Sequence, residues 1–209
     1  MPLLEIQEKQ LKATANQIMQ EARPTAKIIG LVFETYGIYI KKRLGEEGIK
    51  QIEDKLVEIG YPFCFQSVNS FEYYPLGYSA LILVLLQELF NWTEKDIFEM
   101  GYTAPQYSLL IRIFMRYFLD LKKMAVEAQN NWKKHFTEGR IEFDLKEKEK
   151  YLIMRLSHQA LHPLICVYAA GFFLRILKYV IKSSEVDIQE MHCAFKEKLP
   201  FHEYMIKWQ

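Results

Sequence analysis

Along the first part of the chain the apolar positions recur at helical intervals. From Leu3 to Ala22 they form only a thin stripe, Leu3, Ile6, Leu11 and Ile18, among charged residues. This predicts a leading helix over residues 1–22, held by packing on its own domain, on a second copy of the chain or on a partner. Pro24 suits the first turn of a new helix. Ile28, Leu31, Val32, Tyr36, Tyr39 and Ile40 then predict a helix over Thr25 to Leu44. Gly45 and Gly48 interrupt it, and Ile49, Ile52, Leu56 and Ile59 mark a short third helix. The aromatic-rich stretch Tyr61 to Pro75 reads as an ordered connector. The helix after it, to about Phe90, is apolar on nearly every side, which predicts a central, buried place. Thr93 with Asp96 makes a capping-box-like start, with Asp in place of Glu or Gln. Gly101 is expected to end that helix. Pro105 is expected near the start of a long one that runs through Met124 to His135 and closes at Gly139.

At Ile141 the period changes to two. Ile141, Phe143 and Leu145 alternate with Glu142 and Asp144, as in a strand with one buried face. Lys146 to Lys150, a solvated charge run, turns into a second strand, Tyr151 to Ser157. His162-Pro163 opens another helix, continuing to about Ile181. Glu185 to Phe195 and Phe201 to Trp208 make a second hairpin. The predicted fold class is α+β: a helical N-terminal half packed on a small antiparallel sheet, with a hairpin-helix-hairpin C-terminal half. Residues 23–209 form a single domain behind the leading helix.

Composition narrows the function classes. The 209 residues are 50% hydrophobic and 14% aromatic, a globular balance. Charges nearly cancel at +1, so a general electrostatic nucleic-acid binder is not expected. Cys64, Cys166 and Cys193 are odd in number and far apart, which indicates no disulfide framework. The uncharged apolar runs Ala80 to Leu86 and Leu164 to Leu174 fall short of the roughly 20 residues of a membrane span. The start has no signal-like apolar core, so the expected setting is the cytoplasm.

Little in the sequence carries catalytic chemistry. It has no GxxxxGK[ST], no GxGxxG and no GxSxG. Ser157 and His158 are adjacent on a strand and point to opposite faces, a poor nucleophile-base pair. Asp120 and Glu127 read as surface carboxylates. The chain is therefore not expected to be an enzyme. His135, after Lys133 and Lys134, complements the carbonyl end of its helix. The closing hairpin brings Cys193 near His202, and both residue types ligate zinc. The excess of Phe, Tyr, Trp and Met supplies core, and around a helix-sheet seam the same side chains form deformable apolar pockets.

The C-terminal third carries a resemblance. HPLICVYAAGFFLRILKYV, EVDIQEMHCAF and PFHEYMIKW resemble the 4-vinyl-reductase-type, or hydrocarbon-binding, domain family. Tyr168-Ala-Ala-Gly171, Cys193 and Pro200-Phe201-His202-Glu203-Tyr204 fall in the family's order. SFEYYPLGYSALILVLLQELF, and Trp132 with KKHFTEG, also look like the family and its relatives among the Bet-type subunits of the TRAPP vesicle-tethering complex. Haem-NO-binding-like ligand domains are further relatives. The likeness spans roughly residues 25–209.

The resemblance implies a dimeric sensor or adaptor domain, without catalysis, that encloses a small aromatic, hydrocarbon or acyl ligand between helices and sheet. A separate protein effector would read it out. With the apolar stripes, the resemblance makes Tyr36, Phe90, Met115, Phe118, Trp132, Met154, Cys166, Tyr168 and Phe172 the expected ligand-shielding residues. Some family members hold zinc, largely through cysteines. Matching on Tyr168 and Gly171 puts such ligands at His162, Cys193 and His202. The family's Gly-Asp turn is replaced here by KEKL, and the Cys193-to-His202 spacing is slightly longer. No cofactor is certain from the sequence, and zinc is the only one in view. Relatives that bind haem use a helical histidine, and the corresponding central helices have none, so haem is not expected. The alternative is a TRAPP-like tethering subunit with a filled pocket. A reductase acting on a tetrapyrrole vinyl group ranks last, since no nicotinamide or flavin signature is present.

Overall fold

The computed structural model describes residues 2–107, 120–157 and 161–209, with side chains from residue 8 onward. Its elements are α1 (Pro2–Glu21), β1 (Lys27–Ile29), α2 (Gly30–Glu58), a 3-10 turn (Phe65–Ser67), β2 (Tyr73–Pro75), α3 (Gly77–Phe90) and α4 (Glu94–Tyr107). They continue with α5 (Leu121–His135), β3 (Arg140–Lys146), β4 (Tyr151–Ser157), α6 (Pro163–Val180), β5 (Val186–His192), the single turn α7 (Ala194–Glu197) and β6 (His202–Trp208). The α+β class is as the sequence predicts.

The two predicted hairpins join into one antiparallel sheet of order β3-β4-β6-β5, because β4 and β6 pair at its centre. Met154 lies opposite Tyr204 in that pairing, and both are wholly buried with Leu152, Leu177 and Ile206. A second core gathers the apolar faces of α1, α2 and α3 around Phe33, Ile82 and Leu85. α3 is buried along most of its length, as its uninterrupted apolar run predicts. α6 joins the two cores. It is apolar and 18 residues long, enough by length and composition to cross a membrane. Here it packs between α4 and the sheet.

Three local expectations are corrected. Lys27–Ile29 is a strand paired with Tyr73–Pro75, where the period placed a helix and a connector. The turn behind them decides it: Gly30 N–H donates to the Glu72 carbonyl at 2.7 Å, and Leu31 N–H to that of Ser70 at 3.0 Å. The α2 interruption falls at Gly45 alone, at φ 73°, a left-handed value that glycine takes without a Cβ penalty. Gly101 does not end α4, which runs on through it and through Pro105. A Cβ on Gly101 would lie 2.0 Å from the Tyr168 carbonyl oxygen, and one on Gly171 would lie 2.1 Å from that of Phe98. The two glycines therefore let α4 and α6 cross backbone against backbone. α5 starts where the Asp120 carboxylate accepts the N–H groups of Lys122 (2.7 Å) and Lys123 (3.3 Å).

Candidate functional site: an apolar cavity and a sulfur cluster

A cavity of about 200 Å³ lies between β1, α2, α3, α5, the β3-β4 edge of the sheet and α6. Its walls are almost wholly hydrocarbon, from Leu31 and Val32 through Met124, Ile141 and Phe143 to Phe173 and Leu177. Of the expected ligand-shielding residues, Tyr36, Trp132, Tyr168 and Phe172 line it. Phe90 does not; it packs half-buried on the helical core. Met154 sits inside the sheet-side core, and Cys166 belongs to a separate cluster. Met115 and Phe118 lie outside the described residues, as does His158.

The polar groups of the wall are mostly paired with one another. Tyr36 Oη and Ser79 Oγ share a hydrogen bond at 2.9 Å. Tyr168 lies beside Thr35, whose hydroxyl donates to the Val32 carbonyl at 2.7 Å. The Tyr36 and Tyr168 rings meet edge to face, with centroids 5.0 Å apart. Burial pushes both phenols well above their ordinary pKa, so both stay neutral. Trp132 stacks on Phe136 at 4.0 Å, and its N–H donates to the Glu138 carbonyl. His135, read from sequence only as a helix-end charge, also lines the cavity. The signal for this was its spacing in α5: it lies three residues after Trp132 and seven after Ala128, on one helical face.

The second grouping sits under the β5-β6 end of the sheet. Cys166 Sγ lies 3.7 Å from Cys193 Sγ and 3.2 Å from His202 Nδ1. The Ala194 N–H donates to that same Nδ1, so this nitrogen is unprotonated. The same nitrogen lies 3.4 Å from Glu190 Oε1. Glu190 Oε1 is buried and has no hydrogen-bond partner among the described residues. Cys166, Glu190, Cys193 and His202 offer donor atoms that all lie within 4.8 Å of one another, and this mixed S, N and O set could hold a divalent ion. Of the predicted metal set, Cys193 and His202 are in this cluster. His162 is not in the cluster; its Nδ1 caps α6 by accepting the Leu164 N–H at 3.3 Å. Cys166 and Glu190 stand there instead, brought in from α6 and β5, which no sequence spacing connects.

Burial, with Glu190 and Cys193 adding to it, pushes the Cys166 thiol far above its ordinary pKa, which keeps it from forming the reactive thiolate. Iodoacetamide on the native chain is therefore expected to label exposed Cys64 and spare Cys166 and Cys193. Intact-mass and peptide mapping should show one adduct per native chain and three after denaturation. Native labelling of Cys166 as fast as Cys64 would contradict this burial.

No protein-family model and no curated protein matches the sequence. Solved structures do share its fold. An H-NOX protein from S. oneidensis in the Fe(II)NO ligation state is similar over 87% of this chain and 99% of its own, with TM-score 0.64 and 13% identity. An H-NOX structure from a study of heme distortion in that family aligns over 87% and 95%, with TM-score 0.63 and 14% identity. The Fe(II) unliganded H-NOX protein from K. algicida aligns over 87% and 97%, with TM-score 0.59 and 12% identity. The chain has the fold of H-NOX domains. The haem-NO-binding-like part of the predicted resemblance is the part with structural counterparts here.

These structures correct the cofactor expectation of none certain, with zinc the only one in view. The structures with this fold include an Fe(II)NO-ligated H-NOX protein and an H-NOX protein studied for its heme distortion, so haem is the cofactor that this cavity would have to accommodate. One feature fits: an imidazole, that of His135, is part of the cavity lining. The rest does not. An engineered cavity of about 150 Å³ in another protein takes one benzene, and about 200 Å³ is of that order, far short of a tetrapyrrole. Among the described lining residues no Lys or Arg is present to meet propionates. As placed, these side chains do not fit haem.

Proposed function

We propose that this chain is a non-catalytic sensor or adaptor domain whose cavity holds one small, mostly apolar molecule. The observation that carries the reading is the roughly 200 Å³ of space inside the fold, walled almost wholly by hydrocarbon, with the Tyr36 and Ser79 hydroxyls already paired with each other. Burying about 200 Å² of apolar ligand surface contributes about 5 kcal/mol before association costs, enough for useful binding where the cavity is preformed. The H-NOX fold supports this reading, because the proteins that share it include ones described by their iron and its ligation. Open space in the core favours it over a tethering subunit with a pocket filled by its own side chains. Signalling follows if the occupied chain favours a different conformation or dimer arrangement from the empty one.

Native mass spectrometry of freshly purified protein, then denaturing extraction and an absorption spectrum, is the direct test. An apolar molecule at one per chain supports the reading, and a Soret band replaces it with haem. Calorimetry with benzothiophene adds a substitution arm. Ala169→Phe, which fills the cavity from α6, is expected to weaken binding about 30-fold or more, roughly 2 kcal/mol. Equal binding by this variant with its fold intact would sink the proposal.

A further inference from the structure

Among the described residues of the cavity wall one carries an imidazole, and hydrogen bonding fixes where its proton sits. His135 Nδ1 lies 2.8 Å from the Asn131 carbonyl oxygen. A carbonyl can only accept, so Nδ1 carries the hydrogen. Burial, with the charge of Lys134 beside it on α5, holds the ring below its ordinary pKa; the Asn131 bond opposes them and is outweighed. The ring is therefore neutral at pH 7, and its lone pair is on Nε2. No described residue hydrogen-bonds that nitrogen. The other titratable groups among the described residues of the wall are Tyr36 from α2 and Tyr168 from α6, and both stay neutral. Tyr36 is paired with Ser79 from α3, and Tyr168 lies beside Thr35 from α2. None of them competes for a ligand's proton or supplies a counter-charge.

We propose that His135 Nε2 reads the ligand: it accepts one hydrogen bond from an apolar molecule carrying a single N–H or O–H group, and its protonation empties the cavity of neutral ligands. This rests on the cavity being a ligand site, and adds the ligand's chemical class and the residue that selects it. A donor-free molecule of the same shape leaves Nε2 desolvated and unpaired, which is costly in an apolar site. On acidification Nε2 gains a proton and a charge. It can then no longer accept, and the wall favours water over any neutral apolar guest.

Indole and benzothiophene are near-isosteres, and only indole has an N–H. Calorimetry on the full chain at pH 8 is expected to show indole binding about tenfold tighter, the value of one net hydrogen bond. In His135→Leu both probes should still bind, at a ratio near one. Lowering the pH through the imidazole range should weaken both probes in the native chain and neither in the variant. His135→Gln, which keeps a polar side chain but does not titrate, should also be pH-independent, and it secures the test if the Leu variant fails to fold. Benzothiophene binding with no preference for indole overturns this inference and leaves the cavity reading standing. A pH response shared by the native chain and both variants overturns it too. Failure of both probes to bind any variant at any pH overturns the cavity reading and this inference together.

Discussion

Gly171→Ala is expected to cost about 3 kcal/mol of folding stability or to leave the chain unfolded at 37 °C. That cost lies at the upper end of core overpacking, and it is a large share of a typical domain's total. The added methyl would meet backbone on the facing helix, the Phe98 carbonyl oxygen at 2.1 Å and the Tyr102 nitrogen at 2.8 Å, with no flexible side chain to move aside. α4 and α6 would have to separate. α6 would then carry Tyr168 and Phe172 out of the cavity wall and Cys166 out of the sulfur cluster. Gly101→Ala meets the Tyr168 carbonyl from the other side and should behave alike. Urea unfolding followed by circular dichroism measures both. A loss below about 1 kcal/mol would show that the helices part without strain, contrary to backbone contact at the crossing.

Phe33→Ala should lose about 4 kcal/mol by the same measurement, within the range for deleting a buried aromatic side chain. Phe33 has 0% of its surface exposed. Its ring touches Phe63 at 5.1 Å, Tyr74 at 5.8 Å and Tyr36 at 6.0 Å, each tilted or edge to face. These contacts join α2 to the segment before α3, and Tyr36 carries the effect to the cavity. Phe33→Leu, which keeps most of the volume, should cost about 1.5 kcal/mol. Equal losses for the two variants would mean that the volume removed is not what matters at this position.

The sequence and the structure agree where a local period is long enough to be read. Ile141, Phe143 and Leu145 announce β3 by alternation, and Ala80 to Leu86 announce a buried helix by having no polar face. The misreadings share a cause. β1 and β2 are three residues each, too short for any period, and they exist because each completes the other. Gly101 resembles a helix stop in sequence. It is a contact point because α6 arrives there with Gly171. Cys193 and His202 are near each other by hairpin logic, whereas Cys166 and Glu190 join them only through the docking of α6 and β5 on β6.

By itself the sequence determined the α+β class, both hairpins, the central burial of α3 and the aromatic surplus from which a cavity can be built. These follow from which side chains avoid water and at what interval, a property that each segment carries with it. The tertiary structure decided the rest: that α4 runs through Gly101, that the closing-hairpin donors take Cys166 and Glu190 as neighbours instead of His162, and that His135 faces a cavity. Each of these depends on two segments distant in the chain meeting at a given depth and angle, and hydrophobic period encodes neither.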